Sequence, residues 1–504
     1  MIKKMQTKNI KQTESSQESM IEKEKMKSRA YSLRDAAYVS ATIGFGDNYI
    51  TAYGIALNAS PTAIGLLNSL PNLIGSFLQI YTSKLMRRFS RKKIISIATL
   101  LQSLIWIPII LVSLLFVYNS KSAPVFLILF YTLYAAFGNI AAPAWASWIG
   151  DLVPPKAIGK FFGKRNSIAS VSTLIAMILG GLILDVFKKV FVFKEAQGIF
   201  LGFAVILMLA MICRLISRYY LLLQYEAPFR FDENHYFSFW KFLKLAPQRN
   251  FGRFTIFVAL MLFTTNIVGP FFAVYMLKDL NFSYLQFMLV NVFGAIATFL
   301  FMPSWGKFSD KYGNISAIKI TSLIIPLIGF LWPLSVLIPL PYQFYFLLFV
   351  NFFAGFSWAG FNLAAGNFLY DATSTQKRSL CFAYSSVLNS VGVVAGTSLG
   401  AFLISHLKIS FLNIIMFVSL LSGATRYVVA GAMIPKLKEP GIIEHKPIWK
   451  ALPLFSQISS LPLYFQNIFP KKAIKIFPRI FQGLNLKKKR LKKQKISENE
   501  NFKN

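Results

Sequence analysis

Asp47 is the acid placed deepest in an apolar run, mid-way along residues 35–57 and flanked by Gly46, Asn48 and Tyr49. A charge in such a place costs at least about 2.5–3.5 kcal/mol unless it faces a cavity or a partner. A carboxyl there can take up and release a proton, or hold a cationic group of a solute. The plainer alternative is a structural Asp bonded beside a kink at Gly44 and Gly46. Two other apolar runs carry amides and indoles: Asn139, Pro143, Trp145, Ser147 and Trp148 in one, Trp358, Asn362 and Asn367 in the other. Apolar walls with a few placed polar groups suit a small polar organic solute. Each of these residues taken singly serves helix packing equally well. Arg214 and Arg426 fall in the inner parts of two further runs, where snorkelling to the interface is expected and anion binding is the alternative. Asp185 and His406 fall near the outer face, where solvation makes them ordinary.

Other chemistries lack their residues. Cys213 and Cys381 make no CxxC pattern, and His235, His406 and His445 are scattered, so no metal site is expected. No Gly-x-x-x-x-Gly-Lys-[Ser/Thr] run is present, which argues against ATP-driven transport. No cofactor is implied. A membrane enzyme needs acids or histidines clustered at one face, and none cluster here, so the chain is not read as an enzyme.

The elements that must carry these residues are membrane-length. The chain has 504 residues, 55% hydrophobic and 14% charged. Runs of 18 or more apolar residues recur, the length that crosses about 30 Å of hydrocarbon. Twelve spans are expected: 35–57, 62–82, 94–118, 123–150, 163–187, 198–222, 253–277, 284–305, 315–338, 342–370, 379–405 and 409–435. The fold class is therefore all-α and integral to the membrane. The net charge of +35 suggests nucleic acid until its position is considered. Loops on one side of the twelve-span arrangement hold 21 Lys and Arg, and those on the other side hold six. That is the positive-inside bias, with both termini cytoplasmic and no nucleic-acid partner expected.

The spans repeat. Trp148-Ile-Gly-Asp151, followed by Lys164 and Arg165, rhymes with Asn367-Phe-Leu-Tyr-Asp371, followed by Lys377 and Arg378. Residues 83–91 align with 306–314. Arg214 lies 14 residues before Pro228, and Arg426 lies 14 before Pro440. Six spans per half make parallel repeats. The expected organisation is a polar cytoplasmic N-tail (1–33), a six-helix bundle (34–222), a cytoplasmic linker (223–252), a second bundle (253–435) and a basic tail (436–504). Seven of the nine residues 487–495 are basic, which suits an anionic lipid surface as well as a solvated tail.

The loop Gly306-Lys-Phe-Ser-Asp310-Lys311-Tyr312-Gly313-Asn314 resembles the signature loop of the major facilitator superfamily. Physically, Gly306 and Gly313 permit a tight turn, and Asp310 suits a helix N-terminus. The resemblance covers about residues 34–435 and implies two pseudo-symmetric bundles. It also implies a latch in which Asp310 approaches Lys164 and Arg165, with Asp151, Asp371 and Arg378 at matching cytoplasmic ends. The first-half copy departs, with Ser83, Arg87 and Ser90 where Gly, Asp and Gly are expected, so latching there should be weak. Asp151-Leu-Val-Pro-Pro with its following basic run, and Gly46-Asp47-Asn48-Tyr49, also look like a prokaryotic branch of the superfamily. The antiporter signature is absent from the fifth span, which has only Gly180-Gly181. Gly392, Gly396 and Gly400 instead form a close-packing stripe in the eleventh.

The function expected is secondary transport of a small solute by alternating access, proton-coupled through Asp47, in the plasma membrane and as a monomer. The alternatives are a facilitative uniporter, or a transport-dead scaffold or receptor whose working part is the basic tail.

Overall fold

The computed structural model describes residues 2–118, 121–154, 157–191, 195–226, 239–373 and 378–439. The basic tail from residue 440 and linker residues 227–238 lie outside the described residues. Met1–Ile443 make one compact unit.

The described residues form helices and turns, with no strand. The first half contains α1 (Ile2–Phe45), a 3-10 turn Asp47–Tyr49, α2 (Ile50–Ala56), α3 (Pro61–Arg88), α4 (Arg91–Tyr118), α5 (Ala123–Leu152), α6 (Ile158–Val190) and α7 (Glu195–Leu222). Short α8 (Phe239–Leu245) follows. The second half contains α9 (Asn250–Asn266), a 3-10 turn Gly269–Phe271, α10 (Phe272–Val274), a π-turn Tyr275–Asp279, α11 (Tyr284–Tyr312), α12 (Asn314–Leu334), α13 (Leu340–Asp371), α14 (Arg378–His406) and α15 (Ile414–Met433). Among the described residues, eleven stretches are long and apolar enough to cross a membrane. The twelfth expected span is α1 running into α2, interrupted at Asp47. Prolines inside α3, α4, α5, α11 and α12 are carried without breaking the helices, as neighbouring helices permit in a bilayer.

The repeat is visible in the packing. In the first half α3 packs on α5, α4 on α7, and α1 on α6 and α7. In the second half α11 packs on α13, α12 on α15, and α9 on α14 and α15, element for element. The halves join through α3 with α14 and α6 with α11, two contacts that the same pseudo-symmetry exchanges. The glycine stripe does what its spacing predicts. A Cβ at Gly392, Gly396 or Gly400 would run into the carbonyl oxygens of Ala259 and Phe263 on α9 and of Ile267 just after it.

Two expectations about local structure change. The N-terminal tail is no separate polar tail in its backbone, because α1 runs unbroken from Ile2 through it into the bundle. Its last turns bury Ser28, Ser32 and Asp35 against the first half, and Ser28 Oγ accepts from the Tyr225 N–H at 2.7 Å. Gly306 makes no turn. It lies inside α11, and a Cβ there would find ordinary room. Gly313 carries the turn alone, with φ 91°, a backbone that side-chain-bearing residues rarely adopt.

Candidate functional site

The first and seventh spans both break near the middle, at matching places. In the first, α1 ends at Phe45, and Gly46 follows where the Trp106 ring lies 2.5 Å from the place a Cβ would take. Asp47 and Asn48 then make the turn, residue types whose side chains compete with helical backbone bonding. In the second, Gly269-Pro270 ends α9, since Pro270 has no N–H to continue the ladder.

Asp47 reaches α5. Its Oδ2 accepts from the Tyr134 hydroxyl at 3.4 Å, and its Oδ1 is buried without a hydrogen-bond partner. Tyr134 stacks on Tyr131 (5.7 Å between ring centroids) and packs on Trp106 (4.8 Å). No cation touches Asp47 among the described residues.

From Tyr134 a polar chain runs through the half towards the basic loops. The Tyr134 carbonyl accepts from Gln102 Nε2 at 3.1 Å. Gln102 Oε1 accepts from Arg214 twice, at 3.1 and 2.5 Å. Arg214 Nη1 donates to Ser217 Oγ at 3.1 Å, and Ser217 donates to Asp35 Oδ1 at 2.7 Å. Asp35 is 2% exposed, and its Oδ2 receives Arg165 Nη2 at 3.3 Å. The Arg165 guanidinium also lies 4.3 Å over the Trp145 ring.

Arg214 therefore does not snorkel, and neither does Arg426. They are 8% and 3% exposed, because internal acceptors are in reach. Arg426 bonds Ser422 Oγ at 2.8 Å and the Ile325 carbonyl at 3.4 Å. Among the described residues no carboxylate pairs with it, and the partners of this second-half arginine are neutral groups.

Tyr49 is also reassigned. It is fully buried, packs against Gly180, and donates to the Met177 carbonyl. It fastens α1 to α6 and has no surface left for a solute. Asn139 donates to the Ala135 carbonyl at 2.9 Å and sits in the notch at Gly75. Trp358 packs edge-on to Phe361. Asn48 and Asn367 are half-buried and Asn362 is exposed. No hydrogen bond joins Asp47 to any of these amides or indoles.

The expected latch is not closed here. Asp310 is exposed and forms no ion pair with Arg165, which turns to Asp35 of its own half. Lys311 lies over Tyr312, Lys164 is exposed, and the Arg378 side chain lies outside the described residues. The paired acids Asp151 and Asp371 each hold the start of a neighbouring helix instead. Arg91, at the start of α4, donates to Asp151 at 2.7 Å, and Asn314, at the start of α12, donates to Asp371 at 3.0 Å. Glu226 and Glu439, not singled out from sequence, complete these clasps. Glu226 accepts from the Lys92 N–H, and Glu439 from the Asn314 and Ile315 N–H groups. The signal that could have found them was an acid one or two residues before the matched Pro228 and Pro440.

At the opposite ends of the helices the halves are closed on each other. Asp185 is no ordinary solvated acid. Its carboxylate accepts from the backbone N–H groups of Tyr284 and Leu285, at 2.9 and 3.2 Å, at the first turn of α11 in the other half. Gly181 beside it packs on the Leu285 backbone. Nearer the middle, Ser76 meets Ser386 and Ser390 at 3.2 and 2.7 Å.

Two repeated bundles with broken first helices and joined acid-bearing ends define a membrane-transporter architecture. The family model of the Major Facilitator Superfamily matches residues 37–264 and 254–478, and the chain belongs to that family. No curated protein matches the sequence. Similar solved structures include the nucleoside transporter NupG (16% identity, 82% of this chain and 100% of that one, TM-score 0.58). A D-xylose–proton symporter matches at 14% identity, over 82% and 98% of the two chains, with TM-score 0.60. A bacterial homologue of the iron transporter ferroportin, in an inward-facing state, matches at 14%, over 81% and 99%, with TM-score 0.55. At these identities the likeness is one of fold. Family and fold together indicate a multi-pass membrane transporter rather than an enzyme.

Proposed function

We propose that the chain is a secondary transporter that carries a small polar organic solute by alternating access, with Asp47 as its proton-exchanging group. The observation that carries this reading is the Asp47 carboxyl. It sits at a helix break inside the bundle, with one oxygen on Tyr134 and the other buried and unsatisfied. A buried acceptor without a partner is costly, and a proton on the carboxyl or a donor from a solute relieves it. Asn48, Trp358, Asn362 and Asn367 supply the remaining polar and aromatic contacts. The nucleoside and pentose carried by the two structural neighbours make those solutes the first panel to try. The protein sits in the plasma membrane with its basic loops and both ends in the cytoplasm.

The test uses protein reconstituted in liposomes with an inward proton gradient. Wild type is expected to accumulate a panel solute, with uptake falling as the gradient is collapsed. Asp47→Asn should lose accumulation while still exchanging labelled for unlabelled solute. Accumulation by Asp47→Asn equal to wild type, with the same pH dependence, would sink the proposal.

On this reading the cytoplasmic side is the one that must close. Closing it brings Asp310 towards α6, and Arg165 then exchanges Asp35 for Asp310. A double-mutant cycle on transport rate with Asp310→Asn and Arg165→Gln reads that exchange. The two substitutions are expected to be non-additive by about 0.5–3 kcal/mol, as for groups in contact. Additive effects would reject the latch.

A further inference from the structure

A cavity of about 440 Å³ opens between α8, the start of α9 and the basic-side ends of α13 and α14. Its wall is apolar on the inside, from Phe242, Leu245 and Phe251, and carries Lys241, Arg249 and the Thr373 hydroxyl. No carboxylate lines it among the described residues. Arg249 is exposed and makes no ion pair with any described residue. The site is held together firmly. Phe239 and Phe242 pack on buried Tyr384 of α14. Gly252 lets α9 press against the Ala246 backbone, where a Cβ would collide. The chain leaving α15 also passes beside it. Asn250 bonds the Lys438 backbone in both directions, at 2.6 and 3.0 Å, adding positive charge to the same corner.

The level of this cavity in the membrane is marked by Trp240, which is 77% exposed on α8 next to Lys241. An indole projecting from a short helix at the end of the spans is the usual anchor of the headgroup zone. An apolar recess with two cations at its mouth, at headgroup depth, matches one chemistry: a phosphate-bearing amphiphile whose acyl part enters the recess.

We propose that this cavity binds the headgroup of an anionic phospholipid, its phosphate between Lys241 and Arg249. Because α8 leads directly into α9 and rests on α14, lipid in the recess braces the segment that connects the two halves. The site is independent of Asp47 and of the solute.

The test measures thermal unfolding of the full-length protein in detergent during titration with phosphatidylglycerol, phosphatidylcholine or glycerol phosphate. Phosphatidylglycerol is expected to raise the unfolding temperature and phosphatidylcholine not to. Lys241→Gln with Arg249→Gln should weaken the phosphatidylglycerol midpoint about thirtyfold, which corresponds to about 1 kcal/mol per charge. Both positions are exposed, so the double variant should fold. A second variant that neutralises 487–495 should keep the wild-type midpoint. An unchanged midpoint in the Lys241/Arg249 variant overturns the proposal, as does loss of the response in the tail variant alone. Stabilisation by glycerol phosphate at the same concentration overturns the lipid assignment in favour of a soluble phosphate ester.

Discussion

Asp35→Ala is expected to be the most damaging single substitution in the first half, at about 3–5 kcal/mol, the cost of breaking a buried ion pair from one side. The carboxylate is nearly inaccessible and serves two cations. It takes Arg165 directly at 3.3 Å and Arg214 through Ser217. Removing it leaves two guanidinium groups inside a bundle with no other carboxylate bonded to either among the described residues. It also unties three helices together, because Asp35 is on α1, Arg165 on α6 and Ser217 on α7. Thermal unfolding in detergent should show a large loss for Asp35→Ala. Arg165→Met added to Asp35→Ala should restore part of it, since neutralising both partners removes the uncompensated charge. A loss below about 1 kcal/mol would mean that water replaces the carboxylate and that the polar chain is not a structural spine.

Gly396→Val should fail for a different reason. The Gly396 Cβ position falls on the Phe263 carbonyl, with the flanking Gly392 and Gly400 equally tight against α9. A side chain there must push α14 off α9 along its length. Overpacking of this kind typically costs about 1–3 kcal/mol or more, and α14 also carries the contact with α3 between halves. Gly431 is the internal control. It lies on α15 with nothing within 4 Å of its Cβ position. Gly431→Ala should be neutral or stabilising by up to about 1 kcal/mol, the helix-propensity difference. Size-exclusion profiles and unfolding temperatures of the two variants check the contrast. Equal behaviour would show that the stripe is not a packing surface.

The spans and the repeat were legible because bilayer thickness writes itself into apolar run length, and duplication preserves order. Several details were not, each for a physical reason. Hydropathy tolerates one acid per run, so it passed over the break at Asp47 without marking it. Arg214 read as snorkelling because its acceptors, Gln102 and Asp35, are far away in sequence, and only the fold brings them together. The buried end of the N-terminal segment was missed because its inward stripe, Ser28, Ser32 and Asp35, has helical spacing but polar chemistry. A search for apolar periodicity cannot register it. Asp185 read as a solvated outer acid for the same kind of reason. Its partners are backbone N–H groups of another helix, and these carry no side-chain signature. Tyr49 stood beside Asp47 in sequence, yet the 3-10 turn sends the two side chains to different neighbours.

The interruptions in the first and seventh spans divide each into a long arm and a short stub. The arms, α1 and α9, are packed within their own halves, whereas the stubs, α2 and α10, touch each other across the divide. Each stub is nevertheless seated in its own half: the Tyr53 hydroxyl of α2 donates to the Ile109 carbonyl at 3.2 Å, and Phe272 of α10 stacks on Trp332 at 3.9 Å between ring centroids. A stub tied in this way moves with its bundle, so opening that side is a rearrangement of microseconds to milliseconds rather than a loop motion of nanoseconds.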